Sequence, residues 1–424
     1  MRAIDEDRSI PHTNRQNPVM SSNQAAPPDR RNGLTAMLVL VAIALLVAIY
    51  YTPIWWVSLT APNYPPEVFP DGVRIHFHMN GVFNGCKKVE KAEISEEEAL
   101  DCVHEMDTIN HYVGMYPIAA GGVLEKTFSP FLIAMLAVML LGFAVTRPAP
   151  RIGIMAVGFA AILVWLYLAY YGPEGLRWQS AGFVQALVTS LDQEAGKGAE
   201  SEPERPLSAG EALIAQLKAS LAKTSPSAAK ESEQTKPPVP SADETSEKQA
   251  QIQSLKVTFE RNQERRPPAE REAWTGSGAQ ILAWHYGQSL GRYFNNPAEI
   301  RPMVSAMSVA GHALPWLLAA AMLLLLWGAR RTGGALYWLL VLIPMALPVF
   351  FLIDYSAWLW WYGHNLNAMG AFTVKPFMPT VFGDGKVAQF STHSYPYWGF
   401  ALMLLSSVVL AAAALVRRKQ LSGV

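Results

Sequence analysis

Charge is scarce in this chain, and cysteine is almost missing. Of 424 residues, 34 are basic and 34 acidic, so charged side chains make up 16% and the formal net charge is zero. A chain with no basic excess has no electrostatic footprint for nucleic acid. Only two cysteines occur, and neither lies in a Cys-x-x-Cys-His run, so covalent c-type haem is not encoded. A Gly-rich phosphate loop of the Walker type is absent, as is a nucleophile elbow. Soluble-enzyme catalysis by a triad therefore has no support, and a role other than catalysis is expected.

What the chain does have is apolar runs. Hydrophobic residues make up 51%, and six runs approach the 20 or so residues that a bilayer core requires. They are Thr35–Tyr51, Ser129–Thr146, Ile152–Tyr171, Ala310–Trp327, Gly334–Ile353 and Tyr397–Val416. The expected fold class is membrane α-helical: six transmembrane helices (one anchor, two hairpins, one C-terminal) with small α+β extracytoplasmic segments. The first run follows a polar tail and lacks a small-residue cleavage site, so it reads as an uncleaved anchor. No run carries Asp, Glu, Lys or Arg in its interior. That argues against active ion transport, which usually needs ionisable groups inside the membrane.

Arginine clusters orient the runs. Arg30–Arg31, Arg147 and Arg151, Arg330–Arg331, and Arg417–Arg418–Lys419 fall on alternate turns. By the positive-inside rule both termini are cytoplasmic, in a bacterial inner membrane. The expected organisation is then a disordered cytoplasmic tail (1–33), a first span (34–51), an outward α+β segment (52–128), a hairpin (129–171) and a second outward segment (172–309). A second hairpin (310–353), a third outward segment (354–396), the last span (397–416) and a short tail (417–424) follow. Within 172–309, residues 191–268 are rich in Glu, Lys, Ser, Ala, Gln and Pro and read as a mobile or weakly packed insert.

The outward segments hold most of the chemistry. Asp101-Cys-Val-His-Glu-Met-Asp-Thr-Ile-Asn-His-Tyr-Val-Gly-Met115 reads as helix. At 3.6 residues per turn, His104, Asp107 and His111 share a stripe, with Met115 one turn beyond. Imidazole and thioether on one stripe can present a copper ion with suitable ligands. Val73-Arg-Ile-His-Phe-His-Met79 alternates as a strand and places His76 and His78 on one face. They read either as a ligand pair or as polar residues on a solvated face. His364, at a membrane surface rich in Trp and Tyr, and His393, in a short strand-like run, are further candidate ligands. Cys86 and Cys102 either form a disulfide in an oxidising compartment or supply a thiolate to copper. Ser95 and Glu98 form a capping box that would start the helix. Met303 and Met307, at i,i+4, read as packing.

Ala61-Pro-Asn-Tyr-Pro65, Ile109-Asn-His-Tyr-Val-Gly-Met115, Tyr362-Gly-His-Asn-Leu366, Lys375-Pro-Phe-Met-Pro379 and Lys386-Val-Ala-Gln-Phe390 together carry a resemblance. They resemble membrane accessory proteins associated with nitrous oxide reductase and periplasmic copper-enzyme assembly. The resemblance covers about half of the chain, chiefly the outward segments, and it implies a role in copper delivery or electron supply. It implies a membrane or periplasmic protein partner besides the lipid bilayer, and it carries over no catalytic residue. The expected function is a membrane-anchored accessory protein that binds copper on its periplasmic face. A metal-free scaffold and a copper or haem b redox subunit are the alternatives. Packing of the first outward segment onto the third would bring His364 or His393 towards the helix stripe.

Overall fold

The computed structural model describes residues 30–86, 101–199, 242–372, 374–387 and 389–422. Its helices, in chain order, begin with α1 (Arg30–Tyr51), α2 (Cys102–Val113), α3 (Val123–Ala144), α4 (Pro148–Tyr170) and α5 (Ala181–Ala199). They continue with α6 (Ala242–Glu264), α7 (Gly278–Gly291), α8 (Pro297–Gly328), α9 (Ala335–Met345), α10 (Leu347–His364) and α11 (Trp398–Leu421). Five of them, α1, α3, α4, α8 and α11, are long and apolar enough to cross a bilayer. The α9–α10 pair makes a sixth candidate, bent by 62° at its junction. Pro344 and Pro348 flank that junction. Each lacks the N–H that a continuous helix would use, which accounts for the break.

The helices outrun the apolar runs. α3 starts six residues before Ser129 and takes in Glu125 and Lys126. α8 starts at Pro297, where Asn296 caps it by accepting from Ala298 N at 3.2 Å. Asp354 lies inside α10. The candidate span helices therefore include ionisable groups beyond the apolar runs, whose interiors carry none.

Two arginines knit one end of the bundle. Arg151 and Arg417 are among the largest fully buried side chains. Arg151 donates to Val145 O at 3.0 Å, Thr146 O at 2.9 Å and Ala329 O at 3.0 Å. Arg417 donates to Phe143 O at 2.9 Å and Ala144 O at 2.6 Å. These carbonyls sit at or just past the C-terminal ends of α3 and α8, where no later amide can reach them. A cation there also meets the negative end of the helix dipole.

At the opposite end lies a five-stranded antiparallel sheet of order β3-β2-β1-β5-β4. Its strands are β1 (Trp55–Thr60), β2 (Val73–His78), β3 (Gly81–Asn84), β4 (Gly383–Val387) and β5 (Phe390–Pro396). Segments 52–128 and 354–396 thus contribute to one sheet, with β1 paired to β5 from Trp55↔Pro396 to Thr60↔Ser391. Trp55 is buried at the seam and donates Nε1–H to Ser394 Oγ at 2.8 Å. Val73 and Ile75, alternate residues of β2, pack with Leu59 against Cys102, Val103, Met106 and Ile109 of α2. The loop after α10 docks beside them, with Asn367 N donating to Gly114 O at 2.8 Å and Phe372 N to Tyr112 O at 3.0 Å.

A smaller core joins α5, α6 and α7. Leu255 and Phe259 of α6 are buried against Leu187, Ile281 and Trp284. Part of the insert 191–268 is therefore packed more firmly than its polar composition indicates, because two large apolar residues one turn apart suffice to seat α6. Residues 200–241 of the insert, with the tail 1–29 and the Ser95–Glu98 capping box, lie outside the described residues.

Candidate functional site

Between the sheet and the spans lies a cavity of about 560 Å³. Ile75 and Phe77 of β2 and Met106 and Ile109 of α2 wall one side. Leu132 of α3, Leu314 of α8, and Leu347 and Phe351 of α10 wall the other. A concave, mostly apolar space with a few convergent polar groups is the usual form of a small-molecule site. Here the charged groups are Glu125, Lys126 and Asp354. Glu125 and Lys126 project from the first turn of α3, after Gly122, which holds a left-handed conformation with φ 58°. Lys126 donates from Nζ to Ala119 O at 3.1 Å. The carboxyl groups of Asp354 and Glu125 lie within hydrogen-bonding reach of each other. Glu125 Oε2 is buried and meets no N–H or O–H donor among the described residues.

Helix α2 forms the cavity's outer wall and carries a second cluster on its far side. Asp101 caps the helix, its Oδ1 accepting from Val103 N and His104 N, each at 3.1 Å. Gly114 ends it in a left-handed conformation with φ 88°. Asp107 is buried; its Oδ1 accepts from Ile118 N at 2.8 Å, and its Oδ2 pairs with Arg292 Nη1 at 3.3 Å. Burial lifts the Asp107 carboxyl to about 7, against the pull of the Ile118 amide and the Arg292 guanidinium. Arg292 Nη2 also lies 3.5 Å from His104 Nδ1. Close by, Asn367 Nδ2 donates to Glu299 Oε2 at 3.0 Å and to Tyr116 Oη at 3.3 Å, tying α8 to the loop after α10.

Among the described residues, no three His, Cys, Asp or Glu side chains are grouped so as to hold a metal ion. The seven candidate ligands are spread out instead. His111 sends Nδ1–H to Thr108 O at 3.2 Å and stacks on Tyr293 at 4.7 Å. Met115 packs into the main core. His76 stacks on Tyr397, whereas His78 faces Phe83 edge-on, at ring separations of 5.2 and 5.0 Å. Burial pushes His78 down to about 4, and His76 is shifted the same way by burial and by Arg74. His364 sends Nδ1–H to Trp360 O at 2.9 Å and stacks on the Trp360 ring at 4.4 Å. His393 pairs with Asp384, Nδ1 to Oδ1, at 2.6 Å. The first and third segments do join in one sheet, and His364 and His393 are engaged by Trp360 and Asp384. Cys86 and Cys102 are bonded to each other, which leaves neither as a thiolate.

Sequence reading missed the cavity's charged groups and Arg292. Asp354 had a signal: it is a lone carboxylate in an otherwise apolar helix, and such a residue is a functional hypothesis by default. Placing the span's end at Ile353 hid it. Glu125 and Lys126 looked like flanking charges before an apolar run. Arg292 carried no local signal, because its partner is 185 residues away. Comparison with protein-family models, with curated proteins and with solved structures yields no match, so the site is read from its own chemistry.

Proposed function

We propose that this multi-pass protein holds one lipid-like molecule in the cavity between its sheet and its spans, as a carrier or a scaffold and not as a catalyst. The observation that carries this reading is a space of about 560 Å³, apolar on both walls, with its charged groups gathered on α3 and α10. A cavity this large and apolar is poorly suited to water, which needs several polar partners for each molecule. It suits a hydrocarbon chain, which gains about 0.8 kcal/mol per buried methylene. Protein purified in mild detergent should release a stoichiometric lipid on solvent extraction, identifiable by mass spectrometry. Leu132→Trp, which fills the cavity, should accumulate normally and lose that lipid. Equal retention by the variant, or no lipid in the wild type, would overturn the reading.

A copper-handling accessory role in a bacterial inner membrane, as the resemblance implies, is the second reading. One observation favours it. His111 and His364 each turn Nδ1–H to a backbone carbonyl, which leaves Nε2 as the nitrogen that a metal would take. Stoichiometric copper retained after dialysis and lost in His111→Ala would support this reading. A metal-free wild type would remove it.

A further inference from the structure

The charged groups of the cavity balance among themselves. The carboxyls of Glu125 and Asp354 are in hydrogen-bonding contact in an apolar space, so they hold one proton between them and carry one negative charge. Lys126 supplies one ammonium, near enough to Glu125 for the two charges to attract. His78 also lines the cavity, and burial disfavours its charged form. The lining is neutral as built, and a ligand that brought a charge of either sign would leave it uncompensated among apolar walls. The hydrogen bonds are less complete than the charges. Glu125 Oε2 is buried and meets no N–H or O–H donor among the described residues. It lies beside Gly122, which also lines the cavity and has no side chain to cover it. A buried acceptor in that position favours a ligand that donates a hydrogen bond without bringing a charge.

We propose that the cavity takes a lipid whose headgroup is an uncharged alcohol, its O–H donating to Glu125 Oε2 while its hydrocarbon chain lies along the apolar walls. This rests on the reading of the cavity as a lipid-like site and specifies the headgroup. An ether of the same length is uncharged but has no donor. An amine and a fatty acid each bring a charge at neutral pH, and the lining has no free charge to meet it.

The test uses the full chain, delipidated in mild detergent at neutral pH, with binding followed by native mass spectrometry and thermal shift. Dodecanol should bind about tenfold more tightly than methyl dodecyl ether, dodecylamine or dodecanoate, equivalent to about 1.4 kcal/mol. The preference should also follow the charge of the lining. Lys126→Met leaves one negative charge and should turn the preference to dodecylamine. Glu125→Gln combined with Asp354→Asn leaves one positive charge and should turn it to dodecanoate. If one of these variants fails to accumulate, the other decides alone. A diacylglycerol displacing dodecanol would identify a membrane glycerolipid as the source, and a polyprenol displacing it an isoprenoid alcohol; either result supports the headgroup. An ether that binds as tightly as dodecanol, or one order of affinity shared by the wild type and the variants, would overturn the headgroup and leave the cavity reading standing. If none of the probes binds, the cavity reading falls as well.

Discussion

Asp107 shows how one side chain can hold several elements in place. It sits on α2, takes the amide of Ile118 beyond the helix, and meets Arg292 after α7. Asp107→Ala would leave the Arg292 charge buried without that carboxylate and the Ile118 amide without its acceptor. Losing one partner of a buried pair costs about 3–5 kcal/mol, so thermal unfolding should drop sharply. Asp107→Asn keeps an acceptor for Ile118 N and should cost less. The pH dependence separates the two effects. Burial lowers His78 to about 4 and His285 to about 3, from 6.5. The folded state prefers both rings neutral, so their contribution is present above 6.5 and is lost as pH falls towards 4 and 3. Asp107 is raised from 3.8 to about 7, so its contribution is present below 3.8 and is lost as pH rises to about 7. These slopes oppose each other. Unfolding midpoints from pH 4 to 7 should therefore rise more steeply with pH in Asp107→Asn than in the wild type. A parallel profile would show that Asp107 is ionised throughout.

Among the elements, α10 depends on a close approach that only glycine permits. A Cβ on Gly363 would collide with Phe377 O and lie 2.8 Å from Pro379 Cδ. Phe377 N in turn donates to Gly363 O at 3.1 Å. Gly363→Ala should push the 365–382 loop off the helix and cost about 1–3 kcal/mol, seen as faster proteolysis in that loop at unchanged membrane level. Gly363 was not legible as such in the sequence, because its constraint comes from a backbone fourteen residues further on. What was legible follows from periodicity. The apolar runs fall on the five helices long and apolar enough to cross a bilayer and on the bent α9–α10 pair, and alternation located β2, since each signal is repeated within a few residues. The strand β1 was hidden, because Trp55 and Trp56 look like an interfacial belt and their partners lie far along the chain. The α2 stripe was placed correctly in its helix. Its use was not, because whether His104 and His111 meet a metal or Arg292 and Tyr293 depends on α7 and the turn after it. The break between α9 and α10 was signalled by two prolines but masked by an unbroken apolar composition.

For the whole molecule, the question is which way the bundle sits in the membrane. The sheet lies at one end, and Arg151 and Arg417 grip helix carbonyls at the other. The expectation from the arginine clusters is that the latter end faces the cytoplasm. The two cysteines are bonded to each other, so the wild type offers no thiol background. Glu270→Cys, at an exposed position after α6, should react with an impermeant maleimide in intact spheroplasts. Ser422→Cys, exposed after α11, should react only after lysis. The reverse pattern would invert the molecule.

The seam at Trp55 also has a consequence for biosynthesis. The indole of Trp55 and the hydroxyl that receives its hydrogen bond are 339 residues apart. Synthesis runs at about 5–20 residues per second, so β1 leaves the ribosome tens of seconds before β5 exists. During that interval one edge of β1 is an unpaired ladder, open to pairing with any passing strand. The cavity wall is incomplete for as long, since Phe390 and Thr392 of β5 belong to it. The newborn chain thus passes through a stage in which all but the last candidate span has been made and the cavity has not closed. A chain stalled before residue 390 should expose the Trp55 seam and be a preferred substrate for membrane quality-control proteases.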